Sequence, residues 1–472
     1  MSSLAHAFAR LTLLSATAQS IAGQAVGPCN DPALGPLADC GKLSVWEDRA
    51  AQSGRKLTIN FLVLRAEGES QPAKEAVILF AGGPGQGSVD MAGLANGPFR
   101  PIRKSRDVLM VDQRGTGRSN PLLCDEPVVQ HPEVAFGHVF DPPVFRQCHA
   151  DFQTRANLKL YTTEQAISDV DDVRASLGYE RVLVYGVSYG TRIAQAYMRA
   201  YPDRVVAAVL DGVVPFDFRA PISYAKSAQQ ALDRVLADCQ LAPACRNDNP
   251  DAGLQFAALL HRFDAGPVPV MVRGADSTQT KVSLSRGDFG YAVRGILYRS
   301  GGGRALPAMI RRAATTGDLS EFAQRYWERE ADFGGFANGL HFAIFCAEDV
   351  QFIKENEVAR ATADTFLGRY LVDEYRTICH DWTIAPVTDQ ARRPLTSPIP
   401  TLLLSGWFDP VTPPPNAERV ARGLGNAVHL IVRNEAHGSG FGCARPAVLH
   451  VLTGATLAGL PPVCQAVTNL WE

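Results

Sequence analysis

A chain of 472 residues, 46% hydrophobic and 20% charged, exceeds what one ordinary core accommodates, so a main domain with a large insertion or second domain is expected. A formal net charge of −2 removes the electrostatic basis for nucleic-acid binding. No stretch approaches the roughly 18 apolar residues of a membrane span, and no Cys-x-x-Cys or His-x-x-x-His cluster points to a metal, so neither metal nor cofactor is expected.

The first 25 residues place Arg10 ahead of Leu11–Ala18, with small residues at Ser20, Gly23 and Ala25. This is the layout of a secretory signal peptide over 1–25, with a disordered tail as the alternative. Ten cysteines, an even number, agree with export to a secreted or periplasmic location. They fall into sequence-local couples: Cys29 with Cys40, Cys124 with Cys148, Cys239 with Cys245, Cys346 with Cys379, and Cys443 with Cys464. Spacing does not fix connectivity, and unpaired thiols in a cytosolic protein are the other reading.

Segment 26–214 reads as the first part of an α/β core. Gly27–Asp48 and the alternating Leu57–Leu64 predict an antiparallel edge hairpin. The apolar run Ala76–Phe80 predicts a buried parallel strand, running into Ala81-Gly82-Gly83-Pro84-Gly85-Gln86-Gly87, where backbone N–H groups can approach an oxyanion unhindered. A second buried strand, Asp107–Asp112, leads into Gln113-Arg114-Gly115-Thr116-Gly117-Arg118-Ser119. That loop lacks the spacing and the lysine of a phosphate loop, so Asp112 and Arg114 are expected to bond neighbouring loops. Thr162–Leu177 predicts a helix that starts with a Thr162/Gln165 capping box and stops at Gly178; Asp169, Asp171 and Asp172 are expected on a solvated face.

Arg181–Gly190 then runs apolar into Gly186-Val187-Ser188-Tyr189-Gly190 and a helical pattern to about Ala200. A serine between glycines at this strand-to-helix turn is a nucleophile elbow: the strained serine needs small residues two before and two after it. Val205–Leu210 continues the sheet, and strand–helix–strand in this rhythm predicts a parallel sheet with helices on both faces. From 215 to 393 the pattern turns mainly helical, at Ser223–Cys239, Gly253–Asp264, Phe289–Tyr298, Leu306–Thr315, Asp318–Ala331 and Ala359–Leu371, with Ser300–Gly303 a flexible turn. This is expected to be a cap inserted over the C-terminal ends of the strands. The core resumes over 394–472, with strands at Ile399–Ser405 and Val428–Val432.

Asp409 follows the first of these strands and His437 the second. The chain order Ser188, Asp409, His437 is that of an α/β-hydrolase triad. His437 would take the Ser188 proton, Asp409 would hold the imidazole tautomer, and the N–H groups of Tyr189 and Gly83 would receive the oxyanion, each donor being worth about 3 kcal/mol in the transition state.

Gly82-Gly83-Pro84-Gly85, Asp112–Ser119, Gly186–Arg192 and the Asp409 and His437 segments together resemble secreted α/β-hydrolases of the tripeptidyl aminopeptidase and prolyl aminopeptidase group, over essentially the whole mature chain and including a TAP-like C-terminal region. The histidine usual in that group before Gly-Gly-Pro-Gly is Ala81 here, which leaves the backbone donors in place and bears on the fine geometry of the loop. The resemblance implies an exopeptidase acting on free N-termini of peptides, and hence a carboxylate for the substrate ammonium. Glu348 and Asp349 are the expected pair, with a surface acidic turn as the alternative. A carboxylesterase using the same triad on small esters, and a binding module that has kept the fold without its chemistry, are the rival functions.

Overall fold

The computed structural model describes residues 24–68, 74–124, 132–331, 336–463 and 470–471. The expected export segment, 1–25, lies outside them except for Gln24 and Ala25, which open the first strand. Among the described residues nine strands form one sheet: β1 (Gln24–Pro28), β2 (Ala38–Trp46), β3 (Lys56–Leu64), β4 (Glu75–Phe80), β5 (Asp107–Val111), β6 (Arg181–Val187), β7 (Val205–Asp211), β10 (Thr401–Gly406) and β11 (Ala427–Val432), in the order β1-β2-β3-β5-β4-β6-β7-β10-β11. The first three pair antiparallel at one edge, as the hairpin pattern predicts, and β5, β4, β6, β7, β10 and β11 run parallel to one another.

The central strands read as unbroken apolar runs because both faces of the sheet are covered. Val77 and Leu79 of β4 enter one core cluster, Ile78 and Phe80 the other, and none of the four is more than 1% exposed. Parallel strands place their C-terminal ends along one rim, and it is there that the loops after β4, β6, β10 and β11 meet.

The described residues of 215–393 contribute no strand to this sheet. They supply helices, among them Tyr224–Leu241, Arg286–Tyr298, Gly302–Thr316, Asn338–Glu348 and Tyr370–Asp381, together with a two-stranded hairpin of β8 (Val268–Arg273) and β9 (Gln279–Leu284) that the sequence reading missed. The single helix expected over Ala359–Leu371 is two, Glu355–Thr362 and Tyr370–Asp381, parted by left-handed backbone at Asp364 (φ 55°) and Gly368 (φ 51°). Gly302 and Gly303 of the expected turn instead open the helix Gly302–Thr316.

Disulfides join Cys29–Cys40, Cys124–Cys148, Cys239–Cys245 and Cys346–Cys379; the fifth expected couple includes Cys464, outside the described residues. Among the described residues no helix is long and apolar enough to cross a membrane.

Two of the three acids expected on a solvated face of the helix Thr163–Ser176 correct that expectation, while the third, Asp172, keeps a side chain 40% exposed and pairs with Arg49 at 2.5 Å. Asp169 is fully buried, gripped by Arg114 at 2.7 and 2.8 Å and by Arg49 at 2.8 Å. Asp171 binds Arg174 at 2.7 Å, the Tyr197 hydroxyl at 2.8 Å and Arg204. Two arginines distant in sequence turn this face inward, where only paired charge is tolerated. Asp112 and Arg114 do bond neighbouring loops: Asp112 accepts from the N–H groups of Val89 and Arg118, and Arg114 also donates to the carbonyls of Glu47 and Leu160.

Candidate active site

Ser188 stands between β6 and the helix Tyr189–Ala200 at φ 58°, ψ −127°, a backbone conformation that costs an L-residue free energy and is held only by its surroundings. Those surroundings demand the two glycines. A Cβ on Gly186 would sit 2.3 Å from the carbonyl oxygen of Gly190, and one on Gly190 would sit 2.2 Å from that of Phe80. The Ser188 N–H donates to Asp211 O at 2.8 Å, tying the elbow to the end of β7.

The loops after β10 and β11 come together because Gly406 lacks a side chain: a Cβ there would lie 1.8 Å from Ala436 O. This approach brings His437 Nδ1 to 2.7 Å from Asp409 Oδ2. Thr412 braces both, its Oγ1 2.7 Å from Asp409 Oδ2 and 3.0 Å from His437 Nδ1, while the N–H groups of Val411 and Thr412 donate to Asp409 Oδ1 at 2.8 Å each. Burial alone would raise the Asp409 carboxyl; His437 and the Thr412 bonds overcome it and hold the group below its ordinary value. The imidazole edge rests against Gly212, whose added Cβ would be 3.1 Å from Cε1, so Ser188 and His437 flank the same Asp211–Gly212 turn. Nε2 of His437 is buried and has no hydrogen-bond partner among the described residues.

Asp211, fully buried, holds the loop beyond His437: it accepts from the N–H and Oγ of Ser439, from Gly440 N–H and from the Tyr185 hydroxyl. Nothing in the spacing of the sequence marks it, and Thr412 is marked only by standing three residues after an acid, where a hydroxyl can bond back.

The first glycine loop crosses over the serine. A Cβ on Gly82 would be 3.1 Å from Ser188 Cβ, and Gly83 takes φ 109°, where an added Cβ would meet Gly85 N at 2.6 Å. This loop is gripped from the insertion. His341 Nδ1 donates to Pro84 O at 2.9 Å, its Nε2 accepts from the Tyr375 hydroxyl at 2.8 Å, and Ala337 N–H donates to Gly85 O at 3.0 Å. Burial pushes the His341 imidazole down to about 4, so it stays neutral and this tautomer is kept. Tyr298 adds a further contact from the insertion, its ring 4.5 Å from that of His437 and its carbonyl 3.4 Å from the His437 N–H.

Ser188, Tyr189 and Gly83 open on a cavity of about 910 Å³ whose aromatic lining comes mostly from the insertion, through Phe218, Tyr224, Tyr291, Phe336 and Phe345, with Phe140 added from the core segment.

The expected acidic pair divides. Glu348 does not face this cavity. It is buried behind the elbow, where it accepts from the Thr163 N–H and Oγ1, both at 2.8 Å, and from Arg192 at 3.3 Å, and Thr163 Oγ1 in turn receives the Tyr189 hydroxyl at 2.8 Å. Burial raises its carboxyl against the pull of Arg192 and Thr163. Asp349 does line the cavity, though bound by two parallel 2.9 Å bonds to Arg192. The pair is therefore neither a surface turn nor a free double acid, but part of a buried Arg192–Glu348–Asp349 cluster of which Arg192 and Asp349 reach the cavity wall.

Residues 75–265 match the alpha/beta hydrolase fold family and residues 364–462 the TAP-like protein family. Serine protease Hip1 of Mycobacterium tuberculosis is 26% identical over 403 residues, 79% of this chain and 76% of that one. Tripeptidyl aminopeptidase of Streptomyces lividans is 27% identical over 188 residues, covering 37% of this chain and 35% of that one. Proline iminopeptidase of Neisseria gonorrhoeae is 30% identical over 149 residues, covering 31% and 35%.

Proposed function

As an enzyme of the α/β-hydrolase fold with a TAP-like C-terminal region, the chain is, we propose, a serine aminopeptidase that releases residues or short peptides from free N-termini, with Ser188, His437 and Asp409 as its catalytic residues. The observation that carries this reading is the 2.7 Å Asp409–His437 bond beside a serine held at positive φ.

In the proposed cycle His437 Nε2, which has no hydrogen-bond partner among the described residues, takes the Ser188 Oγ proton as Oγ attacks the substrate carbonyl carbon. The oxygen that gains the negative charge is received by the N–H groups of Gly83 and Tyr189. Collapse breaks the C–N bond, and His437 returns its proton to the leaving amine. Water then attacks the acyl-serine with His437 again as base, releasing the acid and restoring Ser188. Asp409, kept ionised, stabilises the imidazolium in both halves.

The Arg192–Glu348–Asp349 cluster holds two carboxylates against one guanidinium. Asp349, on the cavity wall, is the group of this cluster placed to take a substrate ammonium; Glu348 supports it and the elbow from behind. Four disulfides among the described residues favour maturation in an oxidising compartment, and we place the enzyme outside the cytoplasm on that ground.

The test is turnover of matched chromogenic amides: free-amine prolyl, free-amine tripeptidyl and the N-acetylated tripeptide, with a short acyl ester as control. Cleavage of free-amine substrates, loss on acetylation, and fluorophosphonate labelling that disappears in Ser188→Ala are expected. Ester cleavage with every amide untouched would make the chain a carboxylesterase instead.

A further inference from the structure

Arg294 lies on the helix Arg286–Tyr298 and lines the main cavity, yet it is only 5% exposed. Its guanidinium makes no ion pair and no hydrogen bond among the described residues, and its Nε is fully enclosed without a partner. Its neighbours are aromatic faces: the guanidinium carbon is 4.7 Å from the ring centre of Tyr224 and 5.8 Å from that of Tyr291. Such contacts offset part of the cost of taking a cation out of water, but they satisfy none of its five N–H donors. Asp349, a carboxylate elsewhere on the cavity wall, is already committed to Arg192.

A buried cation without a counter-ion is unfavourable in an empty site and becomes favourable when an anion enters. The flat fork of a guanidinium matches a carboxylate through two parallel bonds, and a site closed off from water strengthens them. The position also fits a substrate group. Tyr291, Arg294 and Tyr298 follow one another at spacings of three and four residues, so they share a helix face, and all three line the cavity. Tyr298 packs on His437, and Arg294 starts one turn earlier, about 6 Å along the helix axis. A group held by Arg294 is thus within a short peptide's length of Ser188.

We infer that this cavity selects substrates bearing a carboxylate and that Arg294 receives it. The inference rests on the hydrolase reading of the same site. The carboxylate has two sources in a peptide, the side chain of an aspartate or glutamate and the C-terminus of a short chain. With Asp349 taking the ammonium, the second source makes the preferred substrate a short zwitterionic peptide, bound by opposite charges on two walls of the cavity.

The experiment compares kcat/KM for three free-amine peptides of one length: a neutral peptide amide, the same peptide with a free C-terminal carboxylate, and the peptide amide with glutamate in place of glutamine. In the native enzyme one carboxylate peptide is expected to exceed the neutral one by about tenfold to a hundredfold, and whichever it is identifies the source. In Arg294→Met the ratio is expected to fall to within about twofold of unity, and in Arg294→Lys to survive in part. The ratio is internal to each protein, so loss of folded material cancels. Equal turnover of all three peptides by the native enzyme, or a ratio that persists in Arg294→Met, overturns the inference. If no peptide is cut but esters are, the aminopeptidase reading has failed separately. The same ratio is then read from a dicarboxylic acid monoester against its neutral analogue, and a ratio of unity there overturns the inference as well.

Discussion

His341 Nδ1 donates to the carbonyl oxygen of Pro84 across 2.9 Å, joining a helix of the insertion to the glycine loop over Ser188. The two residues are 257 positions apart. With Ala81 preceding the glycines, a side chain from the insertion holds the loop from the cavity side.

Replacing His341 with phenylalanine keeps a ring of similar size and removes both of its hydrogen bonds. Leaving Pro84 O and the Tyr375 hydroxyl without this partner should cost about 1–3 kcal/mol in stability. Turnover should fall more than KM rises, because in the proposed cycle the Gly83 N–H of this loop serves the transition state. Thermal melts and steady-state kinetics on the same preparations check both parts.

The same residue sets a pH dependence. Its proton is bound in the unfolded chain below the ordinary value of 6.5, but in the folded chain only near 4. Between these limits the unfolded state holds more protons, so this contribution to stability is complete above 6.5 and is lost as pH falls toward 4. A shift of this size corresponds to about 3 kcal/mol. Denaturant titrations from pH 7 to pH 4 should show the decline in the native protein and a shallower one in His341→Phe.

Thr412→Val removes the hydroxyl that donates to Asp409 and leaves the carboxylate less well ordered against His437. A loss of about tenfold to a hundredfold in kcat with little change in KM is expected, well short of the roughly 10⁴-fold loss expected for Asp409→Asn. Equal losses in the two variants would show that Thr412 does more than brace the acid.

Gly406→Ala drives a methyl group into Ala436 O, 1.8 Å away. The loops carrying Asp409 and His437 must then separate, at a cost of about 1–3 kcal/mol or more. Fluorophosphonate labelling of Ser188 should slow by more than the fall in folded fraction accounts for, as measured by labelling rate and circular dichroism together.

Glu348 and Asp349 should behave differently although adjacent. Glu348→Gln should lower the melting temperature, through about 1–3 kcal/mol of lost charged hydrogen bonding, and change KM for free-amine substrates by less than about twofold. Asp349→Asn should raise that KM by about tenfold or more. A KM effect confined to the glutamate would reverse the division of roles.

The sheet and the elbow are legible in the sequence because their signals are local. Runs such as Ala76–Phe80 are apolar on every residue, and Gly186 and Gly190 bracket Ser188 at fixed offsets. Asp409 and His437 are legible because each follows a mostly apolar strand run, Thr401–Gly406 and Ala427–Val432. What escapes is whatever depends on a partner far along the chain. Asp169 reads as a solvated acid until Arg114, 55 residues away, is folded against it, and Glu348 reads as a substrate-binding acid, or else a surface one, until Arg192, 156 residues away, is seen. The helix Asn338–Glu348 carries His341 and leaves almost no periodic trace, since residues from Gly339 to Glu348 are buried on all sides. The β8–β9 hairpin hides behind Pro269, a residue that counts against a strand except at an edge.

The contacts of His341 with Pro84, of Ala337 with Gly85 and of Tyr298 with His437 make the insertion a structural part of the proposed active site. It is therefore not an interchangeable lid. Grafting the corresponding segment of another hydrolase onto this sheet, a common route to altered specificity, would strip the glycine loop and the histidine of their supports unless the donor brought equivalents of all three residues. Evolution of new substrate preference in this architecture is steered toward single replacements on the cavity wall, where a side chain can change while those three contacts stay in place.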